Sequence, residues 1–328
     1  MRVRLRWTDQ NTVPHSTKIY RSDSEPLSNP TGSLLVTLTN GETVWDDTTV
    51  VRGATYWYTF AVTNAGDTKY SVPVQVTASP RTGPGPQELV WGDQDWGVYG
   101  VLADTSFITT TRLLATIGPG GLPNTFTNTW HKFCRKGKTL FVPRMSISFS
   151  ITWAQLYRKG LVHGVAGPGP QNGGNADTEQ RTTIQIGSDE FIVRLPTGFD
   201  DTNNPTRVTP EGVTLTNTGP YRKNSEVADL FWSPIYMFPV DRNKAMNGLN
   251  GLWYPPSSSG HYSNGNGPLI ICQEIDPVAR TTLVPPAFTS NVDMLPFTTS
   301  ASHVVGSSNS NLGWFPILEL IETMEVVL

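Results

Sequence analysis

The sequence predicts a mainly β protein, in which a small N-terminal β sandwich is followed by a larger α+β domain. Apolar and polar residues alternate with period two in short runs from the start of the chain, as in RVRLRW at 2–7. The 328 residues include 30 Gly and 26 Pro, and such an excess of turn formers disfavours long helices. Helical periodicity is sparse, and the length suffices for two domains.

Six short runs with strand character fill the first eighty residues. Turn signals such as Asn40-Gly41 and Arg52-Gly53 separate them at the short intervals that a sandwich requires. A small all-β module of this kind is more often a spacer or a grip than a catalyst. The predicted strands are Arg2–Trp7, Thr17–Tyr20, Leu34–Leu38, Glu42–Trp45, Thr55–Val62 and Tyr70–Val76.

Three segments of this region carry a family resemblance: LRWTD, KIYRS and WDDTTVVRGATYWYTFAVTNAG. Together they resemble a fibronectin type III domain. The resemblance implies that Trp7 lies in the core and that Tyr56 forms a tyrosine corner. It also implies that Tyr58, Phe60 and Val62 face inward.

The N-terminal edge of this sandwich departs from the family. The first strand of the family should precede LRWTD, and almost nothing precedes it here. Either the sandwich tolerates an open edge or another chain covers it. Because an uncovered edge strand invites association, this edge is a candidate contact surface.

A Pro/Gly-rich stretch divides the chain. ASPRTGPGP at 78–86 holds three prolines and two glycines, a composition that neither continues a strand nor starts a helix. The predicted organisation is a sandwich at 1–79, a semi-rigid linker at 80–86 and an α+β module at 87–328.

The second domain is predicted to hold more sheet than helix. Thr152 is placed to cap a short helix that Trp153 anchors in the core and Gly160 ends. Along the last strand, Glu319 and Glu322 are expected to face solvent. Further helices are predicted over Ser225–Phe231 and within Leu102–Thr116, and strands over Gly137–Val142, Thr182–Ile186, Glu190–Leu195, Leu269–Gln273 and Trp314–Glu322.

Five segments of the second domain carry another resemblance: KFCRKGKTLFVPRMSISFSITWAQLYRKGLVHG, EFIVRLPTG, NSEVADLFWSPIYMFP, ICQEIDPVAR and SASHVVGSSNSNLGWFPILEL. Their order resembles a C-terminal module of bacteriophage virion proteins, and the ending resembles C-type lectin-like and formylglycine-generating-enzyme-like domains. The chain departs from the module at three positions. Val227 stands where Trp is expected, Ile271 replaces the Trp before Cys272, and Phe315 replaces an Arg.

The resemblance implies a non-enzymatic virion structural protein of the tail, fibre or baseplate, which builds an appendage or mediates host attachment. Such a protein is assembled in the host cytoplasm, acts in the virion, and is present there as a homo-oligomer or in many copies. Its partners would be other virion proteins and a host cell-surface glycan or protein. The alternatives are a capsid decoration or head-fibre protein and, third, a carbohydrate-active enzyme.

Composition and short motifs limit the expected ligands, the membrane association and the cysteine chemistry of the chain. The net charge is −3 with 16% charged residues, which disfavours nucleic-acid binding by charge. No signal peptide and no run of 18 apolar residues is found, so no membrane insertion is expected. Cys134 and Cys272 lack metal-ligand spacing and are expected to be buried free thiols, with a disulfide between them as the alternative. No cofactor is predicted.

Signatures of catalysis are scarce. The sequence has no G-x-S-x-G elbow, and its five histidines, including His131, are scattered. His131 is expected to be a satisfied surface or core histidine. The carboxylate pairs Asp46-Asp47 and Asp200-Asp201 adjoin turn residues, where Asp bonds its own backbone.

A long loop at 246–267 is the predicted recognition element. It places Trp253, Tyr254, His261 and Tyr262 among Gly, Ser, Asn and Pro residues. Aromatic side chains on such loops form contact surfaces at low entropic cost, and their rings can stack on sugars. These four residues are the candidate receptor contacts, and the alternative is a loop folded on its own aromatic plug.

Overall fold

The computed structural model of the chain contains two compact units. Unit 1 comprises Met1–Thr82 and Ile321–Leu328, and unit 2 comprises Gly83–Leu320, so that unit 2 is inserted in sequence between the two segments of unit 1. Strands account for 43% and helices for 10% of the structure, which confirms the mainly β prediction. The structure describes residues 1–25, 32–79, 82–123, 127–170, 176–198, 225–232, 269–273, 275–276, 281–284, 301–304 and 312–327.

The described residues of unit 1 form eight strands in two sheets that share one apolar core. The sheet orders are β22-β1-β4 and β3-β2-β5-β6, with β7 also paired to β5. Val3 and Leu5 of the first sheet and Ile19 of the second are fully buried in that core. The strands are β1 (Arg2–Arg6), β2 (Ser16–Ser22), β3 (Ser33–Leu38), β4 (Val44–Asp47), β5 (Thr55–Asn64), β6 (Asp67–Tyr70), β7 (Val74–Thr77) and β22 (Thr323–Val327).

The six predicted strands of this region are present, with one division. The predicted strand Tyr70–Val76 is two strands, β6 and β7, separated by residues 71–73. Pro73 lacks the N–H that a ladder needs, which favours a break there. Ser71 fills the gap, because its N–H donates to the carbonyl of Phe60 at 2.8 Å and its hydroxyl accepts from the N–H of Phe60 at 2.9 Å.

The edge that the sequence left open is covered by the C-terminal strand of the same chain. Strand β22 runs parallel to β1, with Arg2 beside Thr323 and Arg6 beside Val327. The expectations of an open edge or of a covering partner chain are therefore both wrong, and β1 is the middle strand of its sheet rather than a free contact surface. Glu322, expected to face solvent, is only 9% exposed and is ion-paired with Arg52.

Three of the four side chains singled out in β5 are buried, and the fourth, Val62, is only half-buried. Tyr56 is buried, and its hydroxyl accepts a hydrogen bond from the N–H of Val51 at 2.9 Å, the bond that a tyrosine corner makes. Tyr58 and Phe60 are also buried. Trp7 is only half-buried and packs edge-to-face on Phe60 at 5.2 Å, so it lies at the margin of the core rather than within it.

We expect Tyr56→Phe to lower the free energy of unfolding by about 1 kcal/mol, because the N–H of Val51 loses its internal acceptor. Urea denaturation measures the change. Tyr70→Phe is the matched control, since Tyr70 is exposed and its hydroxyl should be dispensable. Equal stability of the two variants would mean that the corner bond contributes nothing.

Unit 2 is organised around a seven-stranded sheet with the order β14-β15-β21-β12-β11-β9-β8. A four-stranded sheet, β10-β13-β20-β16, and a three-stranded sheet, β17-β18-β19, complete its described strands. The strands are β8 (Trp91–Gly92), β9 (Trp96–Ala103), β10 (Leu122–Pro123), β11 (Thr129–Arg135), β12 (Lys138–Pro143), β13 (Ser148–Phe149), β14 (Thr183–Ile186), β15 (Asp189–Arg194), β16 (Leu269–Ile270), β17 (Ile275–Asp276), β18 (Thr281–Val284), β19 (Ala301–Val304), β20 (Leu312–Trp314) and β21 (Ile317–Ile321).

Strand β12 is covered on both faces. Leu140 and Val142 are buried as predicted, and Phe141 between them is buried as well. The two strands that follow it on one side of the sheet, β11 and then β9, are not predicted from the sequence. In both, burial on two faces removes the period-two alternation that marks a half-exposed strand.

The helices of unit 2 are short: the 3₁₀ helix Asp104–Ser106, α1 (Thr110–Ile117), α2 (Trp153–Tyr157) and the π-helix Val227–Trp232. The Thr152 cap is confirmed, because its hydroxyl accepts from the N–H of Gln155 at 3.0 Å and the Gln155 side chain accepts from the N–H of Thr152 at 2.8 Å. Trp153 is buried as expected. No helix of the described residues is long and apolar enough to span a membrane.

Candidate functional site

The predicted recognition loop, residues 246–267 with Trp253, Tyr254, His261 and Tyr262, lies outside the described residues. The site that the structure does bring together is instead a set of charged side chains in unit 2, of which three are largely buried and the fourth, Lys138, is exposed. It is called here the Arg194 network and consists of Arg194, Glu226, Glu319 and Lys138.

Arg194 is the centre of this network. Its two terminal nitrogens donate to the two carboxylate oxygens of Glu226, both at 2.6 Å, in a bidentate pair. Its Nε donates to Glu319 at 2.9 Å, and Lys138 pairs with the other oxygen of Glu319 at 2.8 Å. The expectation that Glu319 faces solvent is wrong, because its side chain is 13% exposed and joined to two cations.

Backbone bonds lock the segments around the network together. The N–H of Thr197 donates to Glu226 at 3.0 Å, and the N–H of Glu226 donates back to the hydroxyl of Thr197 at 3.0 Å. The side-chain amide of Gln273 donates to the carbonyl of Leu195 at 2.8 Å. The residues of the network and Gln273 come from all five segments quoted for the virion-module resemblance, so the described parts of these segments meet in space.

The electrostatics of the network favour its charged form. Burial alone would raise the pKa of Glu319, but the positive charges of Arg194 and Lys138 outweigh it and hold that pKa below its ordinary value. Burial works against the charge of Arg194 too, and the carboxylates of Glu226 and Glu319 overcome it and raise the pKa of Arg194. The network is thus an ion cluster in which the carboxylates of Glu226 and Glu319 balance the charges of Arg194 and Lys138.

A second buried cation holds the end of the predicted linker. Lys132 is fully buried, and its ammonium donates to the carbonyls of Pro84 at 3.0 Å and Pro86 at 2.5 Å. It also lies 4.9 Å from the ring centre of Tyr99, within cation–π range. The second half of the predicted linker 80–86 is therefore fastened to unit 2. Burial lowers the pKa of Lys132 to about 8, although the charge of Asp189 acts in the opposite direction.

We expect a pH signature from Lys132. Between its folded pKa of about 8 and its ordinary value of 10.5, the unfolded chain binds more protons, so stability rises with pH across this window. Lys132→Met should abolish that rise relative to the wild type in urea denaturation from pH 7 to 10. It should also speed hydrogen–deuterium exchange over residues 82–90. The exposed control Lys159→Met should change neither, and an unaltered linker in Lys132→Met would contradict the anchoring role.

The other titratable residues considered from the sequence take part in the packing and hydrogen bonding of the fold. His131 is a core residue, and burial together with the charge of Arg144 lowers its pKa to about 3. Asp47 bonds its own turn as predicted, accepting from the N–H of Thr49 at 2.9 Å, and it also accepts from the hydroxyl of Tyr58 at 2.9 Å. Cys134 and Cys272 are buried free thiols, as predicted. Asp200-Asp201 lies outside the described residues.

Unit 1 contains a cleft of about 250 Å³ that the sequence did not reveal. Trp7 and Phe60 form apolar walls, and Asp9 and Asn11 lie at its polar side. The carboxylate of Asp9 accepts from the backbone and side-chain nitrogens of Asn11, both at 2.9 Å, and these bonds lower its pKa. Asp9 thus braces its own loop, and the cleft offers mainly apolar contact.

Charged residues inside apolar strands were the sequence signal for the Arg194 network and for Lys132. Arg194 follows FIV and Lys132 precedes Phe133, positions where a free charge would be costly unless paired. Among the described residues, no group of three His, Cys, Asp or Glu side chains is arranged to hold a metal ion. Comparisons with known protein families, curated proteins and solved structures find no match.

Proposed function

We propose that this chain is a non-enzymatic structural protein of a bacteriophage virion, belonging to the tail, a fibre or the baseplate. The observation that carries the proposal is the Arg194 network. The five segments whose order resembles a virion module are joined to one another through its ion pairs and the bonds around it. Residues common to proteins with such a module would then be common because they stabilise its fold.

The direction of the buried donors supports a scaffold role over a catalytic one. Arg194 directs its bonds to two carboxylates and a carbonyl, and Lys132 directs its bonds to linker carbonyls. Side chains committed in this way stabilise a particular arrangement of segments. We therefore propose that these charged side chains hold the segments of unit 2 in a fixed arrangement.

The finer identities of the two units are part of the proposal. For unit 1, a fibronectin type III-like sandwich is supported by the Tyr56 corner bond and by the packing of Trp7 on Phe60. In that assignment, β22 occupies the edge that the family gives to its first strand. For unit 2, a C-type lectin-like fold rests on the order of the quoted segments and on their ending in a Gly-Trp strand.

Localisation on intact particles tests the proposal. Gold-labelled antibody against residues 87–328 is viewed by electron microscopy on particles of the phage that encodes the chain, with particles lacking the gene as the control. Label confined to the tail or its fibres is the expected result. Label spread over the head would instead indicate a capsid decoration protein. Unlabelled particles would overturn the virion assignment.

Host attachment has its own test. The proposed receptor is a cell-surface glycan or protein, contacted by the aromatic residues of the 246–267 loop. Trp253→Ala with Tyr262→Ala should abolish adsorption of particles to host cells, whereas Tyr70→Ala, an exposed aromatic of unit 1, should leave it unchanged. Full adsorption by the double variant would leave appendage building as the role of the chain.

A further inference from the structure

We propose that β1 and β22 form a mechanical clamp, which resists tension applied along the chain between a point before β1 and a point after β22. This pair is called here the terminal clamp. The inference goes beyond the proposed function, since it holds for the isolated protein whatever particle it belongs to.

The direction of the two strands is the first step. They are parallel, and the first residue of each lies beside the first residue of the other, Arg2 beside Thr323. Tension pulls the N-terminal end of β1 one way and the C-terminal end of β22 the other way. Both forces act along the strand axes, so the hydrogen bonds between the strands are sheared together instead of being opened one at a time.

Strand β1 is held on its second side as well. It pairs with β4, and Asp46 of β4 accepts from the side chain of Arg4 at 2.8 and 3.0 Å and lies 3.0 Å from that of Arg2. The side chains of Val3 and Leu5 are fully buried. Sliding β1 out of the sheet therefore requires breaking two ladders and removing two apolar side chains from the core.

Strand β22 is anchored by side chains at its start and near its end. Glu322, just before it, pairs with Arg52, and the hydroxyl of Thr323 accepts from Nε of Arg2 at 2.7 Å. Val326 packs against the core of unit 1. Both strands of the clamp are thus fastened to the sandwich.

Unit 2 lies outside the path of the force. Its residues, Gly83–Leu320, are inserted in sequence between the segments that carry β1 and β22. While the clamp holds, tension passes directly from β1 to β22 and the inserted chain is not stretched. A sandwich closed in this way transmits force and shields the domain inserted in it.

Single-molecule pulling on the full chain tests the clamp by changing only the points of attachment. Handles at residues 1 and 328 load β1 and β22 in shear. Handles at Thr8→Cys and residue 328 pull from the same end of both strands and peel them apart, and the chain's own cysteines are buried. We expect a rupture force several times higher in the first geometry. Equal forces in the two geometries would overturn the proposal.

A matched pair of proline variants isolates the ladder. Because the N–H of Arg2 donates to the carbonyl of Glu322 at 2.9 Å, the register requires the N–H of Met324 to donate to β1 and that of Glu325 to point away from it. Met324→Pro should therefore lower the shear force, and Glu325→Pro should retain most of it. Equal loss in both variants would contradict the assigned ladder, and the attachment comparison on the wild-type chain stands even where Met324→Pro does not fold.

Discussion

Removal of residues 322–328 is expected to lower the stability of unit 1 by about 3–5 kcal/mol, because it deletes a strand ladder and a core contact together. The parallel ladder to β1, the packing of Val326 and the ion pair between Glu322 and Arg52 are all lost. Hydrogen–deuterium exchange over residues 2–7 and 44–47 measures the change locally. Unit 2, whose residues remain, should keep its protection over β14 and β15.

The same truncation should change the state of association. Strand β1 becomes an edge strand with unpaired N–H and carbonyl groups, and such an edge pairs with other chains. We expect concentration-dependent dimers by light scattering, which a synthetic peptide of residues 322–328 should dissolve and a scrambled peptide should not. A truncated chain that stays monomeric with full protection of β1 would show that β22 is dispensable.

The pairing of β22 with β1 illustrates what could not be predicted from the sequence. Arg2–Trp7 was recognised because its apolar and polar residues alternate locally, and the same signal located five other strands of the sandwich. The partner of β1 is a different matter, since Thr323 lies 321 residues away from Arg2. Periodicity identifies that a segment is a strand, whereas its neighbour is determined by the packing of the whole chain.

The buried charged residues illustrate a second limit of prediction from the sequence. Because charged side chains are mostly exposed, the sequence favours solvent for Lys132 and Arg194 unless the apolar residues around them are taken as a sign of burial and pairing. The same reasoning placed Glu319 in solvent, although it pairs with Arg194 and Lys138. A charge in an apolar strand predicts a partner, and only the fold shows which one.

Glu226→Gln is expected to destabilise unit 2 by about 3–5 kcal/mol, because it removes the charge that balances the buried guanidinium of Arg194. Urea denaturation and exchange over β14 and β15 measure the loss. Glu88→Gln, at an exposed carboxylate, is the control and should change stability little. The double variant Arg194→Met with Glu226→Met should recover part of the loss, since it removes the unpaired guanidinium while Glu319 keeps its pair with Lys138.

Lowering the pH should test the contribution of Glu319, the second carboxylate of the network. Because the pKa of Glu319 is below its ordinary 4.5 in the folded state, its contribution is fully present above pH 4.5 and is lost as the pH falls through the lowered value. Glu319→Gln should therefore be less stable than the wild type at neutral pH, and the difference should shrink as the pH falls below 4.5. A difference that stays constant over that range would mean that Glu319 contributes through shape and not through its charge, and the ion cluster would then be reduced to the pair between Arg194 and Glu226.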